Sequence, residues 1–199
     1  AQNATVPLAL DLMRQDQAVS VQITPVQACD YPVVLQRNTE VNAYATGKGI
    51  VVYTGMMDFV RSDDELGMIV GHELAHNTMG HIKAKQGNAL LAGVFGAVLS
   101  GLTGVNVTNL FMQAGGGAFS QEFEHEADYV GLYYTARAGF EIEHEPDLWR
   151  RMAVQHPAAI NRGSTHPPTA ERFVALEAAV KEVKDKQTAG EPLEPNMKK

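Results

Sequence analysis

The sequence predicts an α+β fold in which a small antiparallel or mixed three-stranded sheet is followed by a mostly helical domain. Short runs of β-branched residues lie between residues 33 and 54, and capped apolar patterns with helical spacing follow from Ser62 onward. The chain has 199 residues, of which 45% are hydrophobic and 20% charged. This is ordinary usage for one folded domain.

Three short runs mark the strands of the sheet, at residues 33–36, 41–45 and 50–54. Gly47-Lys48-Gly49 separates the last two runs, so a hairpin is expected there. Before them the strand patterns are weak, as in the alternating Val19, Val21 and Ile23. Residues 1–30 are therefore assigned to an N-terminal extension, and the main domain to residues 31–183.

Capping residues and apolar spacing mark the helices. Ser62 with Glu65 three residues later predicts a helix that runs to about Met79, where Gly80 offers a stop. Further helices are expected over residues 120–138, over residues 146–154 and from the Pro-Pro-Thr at 167–169 onward. Residues 184–199 are charged and contain proline, so they are expected to form a disordered tail.

The segment from residue 86 to residue 121 contains no charged residue. A membrane span needs about 20 predominantly apolar residues, but glycine and serine dilute this run and Asn106 ends it. Residues 86–121 are therefore expected to form an apolar helical hairpin that is buried or interfacial. A peripheral contact with a membrane or a partner through this segment stays open.

Charge and cysteine content exclude several classes of site and partner. Lys plus Arg is 16 and Asp plus Glu is 23, which gives 16 − 23 = −7, and an acidic surface repels phosphate backbones. Nucleic acid is therefore not an expected partner. The single cysteine, Cys29, excludes an intrachain disulfide and a multi-cysteine metal site. No intact signal peptide is visible, and nothing in the sequence indicates the oligomeric state.

The segment His72-Glu73-Leu74-Ala75-His76 lies inside the capped helix. Residues four apart differ by about 40° around a helix, so both imidazoles face the same way and can share one metal ion. Glu73 lies next to that face, where its carboxylate can act as a general base without being a ligand. The alternative is two histidines that only pack, which is costly because two imidazoles and a carboxylate are then buried unpaired.

A catalytic zinc site needs one more protein ligand and an open position. The helix at residues 120–138 supplies candidates, since Glu124 and Asp128 are four apart and share a face. One of them can bind the metal while the other orients a ligand imidazole through its free ring nitrogen. Spacing alone does not choose Glu124 over Glu122, His125 or Glu126.

Four motifs follow one another along the chain: the strand Val41-Asn42-Ala43-Tyr44-Ala45, the His72-Glu73-x-x-His76 motif, Ser120-x-x-x-Glu124-x-Glu126-Ala127-Asp128 and Thr165-His166-Pro167-x-Thr169-x-x-Arg172. In this order they resemble the CAAX-prenyl-protease and HtpX-like zinc metallopeptidases of the gluzincin clan. The resemblance covers roughly residues 31–180 and is greatest with the compact minigluzincins, some of which are bacterial periplasmic quality-control proteases.

The resemblance implies a minigluzincin-like, zinc-dependent metalloendopeptidase with one Zn²⁺ held by His72, His76 and Glu124. Glu73 would be the general base and Asp128 would hold His72. It also implies further roles at the site: His166 and Arg172 would stabilise the oxyanion, and Asn42, Ala43 and Tyr44 would bind substrate. Tyr44 replaces the more frequent phenylalanine.

The implied substrate is a peptide or unfolded protein bound along the strand at residues 42–46. The implied location is the bacterial periplasm or a membrane surface, with the cytoplasm left open.

Two rival functions remain. In peptide deformylases a cysteine completes a similar histidine pair, which would give Cys29 a role but leave Glu124 without one. A latent zinc-bound chaperone or assembly factor, its site plugged by His166 as fourth ligand, is the non-enzyme alternative.

The other histidines, Arg172 and Trp149 can also be explained by structural or surface roles. His81 is nine positions after His72, about 180° around the helix, so a surface or capping role is expected. Arg172 has a surface ion pair as its alternative, and Trp149 is expected in the core. Solvated positions are expected for His125, His144 and His156.

Overall fold

The computed structural model describes residues 6–24, 30–103, 119–155, 166 and 170–197. These residues form five strands and six helices, so the predicted α+β class is confirmed. Contacts divide the chain into one unit of residues 1–30 and a second of residues 31–199.

The first unit contains an antiparallel hairpin. Strand β1 (Leu8–Arg14) pairs with β2 (Gln17–Ile23), and the turn between them places Gln15 and Asp16 at φ +51° and +61°. Positive φ at both central residues gives the turn the twist that matches the two strands of a two-residue hairpin. The alternating residues predicted in this region lie in β2.

A three-stranded mixed sheet opens the second unit. It contains β3 (Val33–Gln36), β4 (Ala43–Ala45) and β5 (Ile50–Tyr53) in the order β3-β5-β4. The outer strands flank β5, with β3 parallel to it and β4 antiparallel, so β4 is an edge strand. The three strands predicted from the sequence are confirmed, with β4 two residues shorter at its start.

The helices follow the sheet. They are α1 (Thr54–Phe59), α2 (Asp63–Thr78), α3 (His81–Thr103), α4 (Gln121–Arg137), α5 (Glu145–Gln155) and α6 (Ala170–Ala189). Ser62 caps α2 by accepting a hydrogen bond from the Glu65 backbone N–H at 3.2 Å, as predicted. The short helix α1 was not predicted, because it continues directly from β5 without a capping residue.

The hairpin between β4 and β5 is tied to the end of α2. Gly47 has φ +84°, which glycine adopts at little cost. Its backbone N–H donates to Asn77 Oδ1 at 2.7 Å, and Asn77 Nδ2 donates to the Gly49 carbonyl at 2.9 Å. The β4 edge is therefore held beside the helix that carries His72 and His76.

The apolar segment begins as one long helix. The predicted hairpin at residues 86–121 starts within α3, while residues 104–118 lie outside the described residues. Among the helices that the structure describes, none is both long enough and apolar enough to cross a bilayer.

The chain beyond Lys184 differs from the predicted disordered tail. Helix α6 continues to Ala189, and Val183 is fully buried in its last turns. Leu193 packs against the same apolar cluster, and Lys186 donates to the Glu194 carbonyl at 2.6 Å. The prediction relied on the charge of residues 184–199, but Leu193 within them still packs on an apolar surface.

Candidate metal centre

Four side chains converge between α2 and α4. Each of His72, His76, Glu124 and His166 contributes one ligand-type atom, and these atoms all lie within 4.8 Å of one another. The first three residues are fully buried. A metal ion compensates such burial of imidazoles and a carboxylate, which is otherwise costly.

Helical spacing positions the histidine pair. His72 and His76 point their Nε2 atoms at the same place, 3.1 Å apart. From α4, Glu124 brings Oε1 to 3.4 Å from His76 Nε2 and Oε2 to 3.6 Å from His72 Nε2. Two imidazoles and one carboxylate match the ligand set of catalytic zinc sites, so the donors fit zinc.

The protonation states favour metal binding. Burial lowers the pKa of His76 to about 3, so its imidazole is neutral at physiological pH and has a lone pair to offer. Burial opposes ionisation of Glu124, but the charge of His166 and hydrogen bonds from His166 and His76 hold its pKa well below its usual range. Glu124 is therefore an anionic ligand candidate.

Glu73 lies beside the cluster and is almost fully buried. Burial raises the pKa of Glu73, while the charges of His166 and His72 and the backbone amide of Ala45 act in the opposite direction. His166 Nε2 is 3.5 Å from Glu73 Oε1. A carboxylate with this surrounding is disposed to take up a proton, as a general base requires.

A buried ion-pair network lies behind the histidines. Asp128 Oδ1 is 3.0 Å from His72 Nδ1 and also accepts from Arg172 Nη2 at 2.7 Å. Arg172 donates through Nε to Asp128 Oδ2 at 2.7 Å, and its Nη1 lies 2.8 Å from Glu124 Oε2. Arg172 is only 2% exposed, so the alternative of a surface ion pair is wrong.

His166 joins the cluster from the segment before α6. Its Nδ1 lies 3.0 Å from Glu124 Oε1 and 3.3 Å from His72 Nε2. Burial lowers the pKa of His166, but the charges of Glu124 and Glu73 outweigh this and raise it. The same placement is compatible with a fourth ligand and with a donor facing the reacting group.

His81 corrects the expectation of a surface or capping role. It is 1% exposed, and its Nδ1 lies 3.0 Å from Nδ1 of His76 while its Nε2 lies 2.8 Å from Glu126 Oε2. The helix phase used for the prediction does not apply, because Gly80 with φ +77° ends α2 and His81 starts α3. A glycine stop between two histidines was the available indication.

Aromatic rings line the centre. Phe119 stacks on His76 with ring centroids 3.9 Å apart, and Phe123 stacks on His81 at 4.4 Å. Trp149 is buried, as expected, and its ring centroid is 5.1 Å from that of His72. The rings restrict the orientation of the imidazoles and exclude water from their flanks.

The predicted substrate-binding strand lies on the edge of the sheet. Ala43 is buried and Tyr44 half-buried, and the Asn42 carbonyl accepts from the Tyr53 N–H at 3.1 Å. A cavity of 320 Å³ borders this strand near Ala45. Ala43 and Tyr44 thus lie in an edge strand with Asn42 just before it, and the Glu73 carboxylate interacts with the amide of Ala45, the last residue of that strand.

The other candidates are distributed as follows. His144 is exposed, as expected, and His125 is half-buried. Both Cys29, the thiol of the deformylase alternative, and His156 lie outside the described residues.

Comparisons with known proteins point to one family. The sequence profile of peptidase family M48 matches residues 12–180. Mitochondrial metalloendopeptidase OMA1 of Arabidopsis thaliana is 27% identical over 172 residues, 83% of this chain and 35% of that protein. The beta-barrel assembly-enhancing protease of Yersinia pestis is 29% identical over 135 residues, covering 61% and 28%. Metalloprotease LoiP of Escherichia coli is 28% identical over 155 residues, covering 73% and 60%. The chain thus spans about a third of the length of the first two relatives.

Proposed function

The chain belongs to peptidase family M48, and on that premise we propose that it is a zinc-dependent metalloendopeptidase that hydrolyses peptide bonds in extended or unfolded proteins. The observation that carries the proposal is the convergence of His72, His76 and Glu124 within 4.8 Å, with the Glu73 carboxylate beside them. Two of the similar proteins are a metalloendopeptidase and a protease, which supports the proposal.

In this proposal His72, His76 and Glu124 hold one Zn²⁺. When bound, zinc would polarise the scissile carbonyl and make a water molecule more acidic. Glu73 takes the proton from the attacking water and passes it to the departing amine. Asp128 fixes the tautomer of His72 through Nδ1, so that Nε2 is the ligating atom.

We propose different roles for His166 and Arg172, although the family resemblance implies that both stabilise the oxyanion. His166 lies between Glu73 and Glu124, where a protonated imidazole can donate to a developing oxyanion. The guanidinium of Arg172 is turned to Asp128 and Glu124. We therefore assign Arg172 a positioning role on these two carboxylates and keep His166 as the oxyanion donor.

The substrate would bind as an added strand along β4, using the edge at Asn42, Ala43 and Tyr44. Main-chain hydrogen bonds then supply much of the affinity, which suits extended or unfolded segments. A role in protein quality control is in keeping with the name of the beta-barrel assembly-enhancing protease. We propose the bacterial periplasm or a membrane surface as the location, to be tested by cell fractionation.

The decisive test compares wild type with Glu73→Gln. Zinc content should stay at one ion per chain in both, while cleavage of an unfolded protein falls by about 10²- to 10⁴-fold in the variant, the usual contribution of a general base. Glu171→Gln, an exposed carboxylate on α6, is the matched control and should cleave normally. Undiminished cleavage by Glu73→Gln would refute the assignment.

A second candidate is a latent zinc-bound chaperone or assembly factor. The observation that favours it is the inclusion of His166 in the four-donor cluster. His166→Ala separates the two: increased cleavage of an unfolded substrate indicates a plugged, latent site, whereas loss of cleavage indicates an oxyanion donor.

A further inference from the structure

A cavity lies between the β4 edge and the first turns of α3. It has a volume of 320 Å³, and among its described lining residues Lys85 carries a positive charge. The lining residues are Tyr44, Ala45, Ile82, Lys85, Gln86, Ala89 and Phe119. Most of this lining is apolar or aromatic, so the cavity suits a side chain with an aliphatic stem.

Lys85 connects this cavity to the metal centre. Its Nζ lies 4.2 Å from the centroid of the Phe119 ring, and that ring in turn stacks on His76 at 3.9 Å. The lysine is half-buried, while Lys83 on the same helix is exposed. A cation held over an aromatic face in a partly desolvated position interacts more strongly with an incoming anion than an exposed lysine does.

Among the described residues, no carboxylate lies at ion-pair distance from the Lys85 ammonium, although the charges of Glu124 and Glu73 act on it from farther away. Burial lowers the pKa of the Lys85 ammonium. A carboxylate that entered the cavity would replace the lost hydration with a charge-assisted hydrogen bond.

We propose that Lys85 forms a subsite that binds a carboxylate of the substrate next to the bond to be cleaved. The subsite rests on the proposed peptidase function and names its substrate class: segments with an acidic side chain near the cleavage site, or with a free C-terminal carboxylate there. The β4 edge binds the peptide backbone, and the cavity beside Tyr44 and Ala45 receives the group that Lys85 recognises.

The test uses sets of three peptides that carry Glu, Gln or Lys at one position. Each set varies a different residue flanking the cleaved bond. Each peptide is made with a free and an amidated C-terminus, which separates the two sources of the carboxylate. We expect zinc-loaded wild type to cleave the best Glu or free-carboxylate peptide with kcat/KM about tenfold above its neutral counterpart, the discrimination of one partly buried charge pair.

Two variants and a control complete the test. Lys85→Met should abolish the preference, and Lys85→Glu should reverse it in favour of the Lys peptide. Lys83→Glu makes the same charge change at an exposed position and should leave the preference intact. Equal cleavage of charged and neutral peptides by wild type, or an equal loss for all peptides in Lys85→Met, would overturn the subsite.

Failure of the proposed peptidase function can be distinguished from failure of the Lys85 subsite. If the chain is not a peptidase, zinc-loaded wild type cleaves no peptide of any charge. Binding of the same fluorescent peptides to Glu73→Gln reports on the subsite without hydrolysis, and a tenfold preference that disappears on adding Lys85→Met supports it. Equal binding of all three peptides overturns it.

Discussion

Gly131 on α4 lies directly against the backbone of His72 on α2. A Cβ atom built on Gly131 would lie 2.9 Å from His72 Cα and 2.9 Å from the Gly71 carbonyl carbon. Gly71 is equally restricted, since its Cβ would meet the Gly131 carbonyl oxygen at 2.8 Å. The two helices therefore touch backbone to backbone at the level of the first histidine, which brings Glu124 within reach of the pair.

We predict that Gly131→Ala separates α2 from α4 and weakens metal binding. The obstructing atoms are backbone, so the helices must shift, and overpacking of this kind costs about 1–3 kcal/mol. Zinc affinity, measured by competition with a chelating dye, should fall at least tenfold. The control is Gly87→Ala in α3, where a Cβ meets nothing within 4 Å. It should be neutral or stabilising by up to about 1 kcal/mol, and matching behaviour of the two variants would contradict the prediction.

The local features of the site could be predicted from the sequence. Ser62 and Glu65 define the start of α2, and helical spacing then puts His72 and His76 on one face. These features depend on neighbours in the chain, which a sequence displays directly. The contact of Glu124 with the histidines depends on close packing of α2 on α4. Spacing alone does not choose Glu124 among the candidates on α4, and the family resemblance indicates it.

Other parts could not be predicted, for physical reasons. The angle of about 180° expected between His72 and His81 assumes one continuous helix, but the chain turns with positive φ at Gly80 and a new helix starts at His81. The exposed alternative for Arg172 failed because two buried carboxylates compensate its burial. Long-range pairing of this kind has no signature in spacing.

We predict that His81 positions His76 for metal binding. The imidazole of His81 lies between His76 and Glu126, so its removal leaves the Nδ1 side of His76 without this support. Loss of such a supporting contact lowers metal affinity by about 10- to 100-fold. His81→Ala should show this loss in dye competition, whereas the exposed His144→Ala should bind zinc as wild type does. Equal zinc affinity of both variants would assign His81 to packing alone.

We predict that Arg172→Ala destabilises the protein by about 3–5 kcal/mol, because Asp128 and Glu124 stay buried without their cation. Burial alone would lower the pKa of Arg172, but the charge of Asp128 outweighs it and raises the pKa. Urea unfolding monitored by circular dichroism measures the change. Arg150→Ala, which removes an exposed arginine paired with Asp147 and Glu177, should cost less than about 1 kcal/mol. Equal unfolding midpoints for the two variants would refute the prediction.

The last prediction concerns Glu145, a carboxyl at the start of α5 that is only 1% exposed. Burial, aided by the charge of Asp128, raises its pKa well above the usual range, and the opposing effects of Trp149 and Arg172 are smaller. The folded state therefore favours the protonated acid. The stability that this group contributes is fully present below its unfolded pKa of about 4.3 and is lost as pH rises through the folded value.

Glu145→Gln replaces the protonated acid with an uncharged group of the same shape that does not titrate. The variant should match wild type near pH 4 and exceed it at pH 8 by on the order of 1 kcal/mol or more, since one pKa unit corresponds to about 1.4 kcal/mol. Thermal unfolding of both proteins across this range measures the difference, and comparison at each pH cancels the effect of pH on metal binding. Glu143→Gln is the control, because a hydrogen bond from Lys184 lowers the pKa of Glu143, so its removal should not stabilise at high pH. A constant difference between wild type and Glu145→Gln at all pH values would show that Glu145 is ionised in the folded protein.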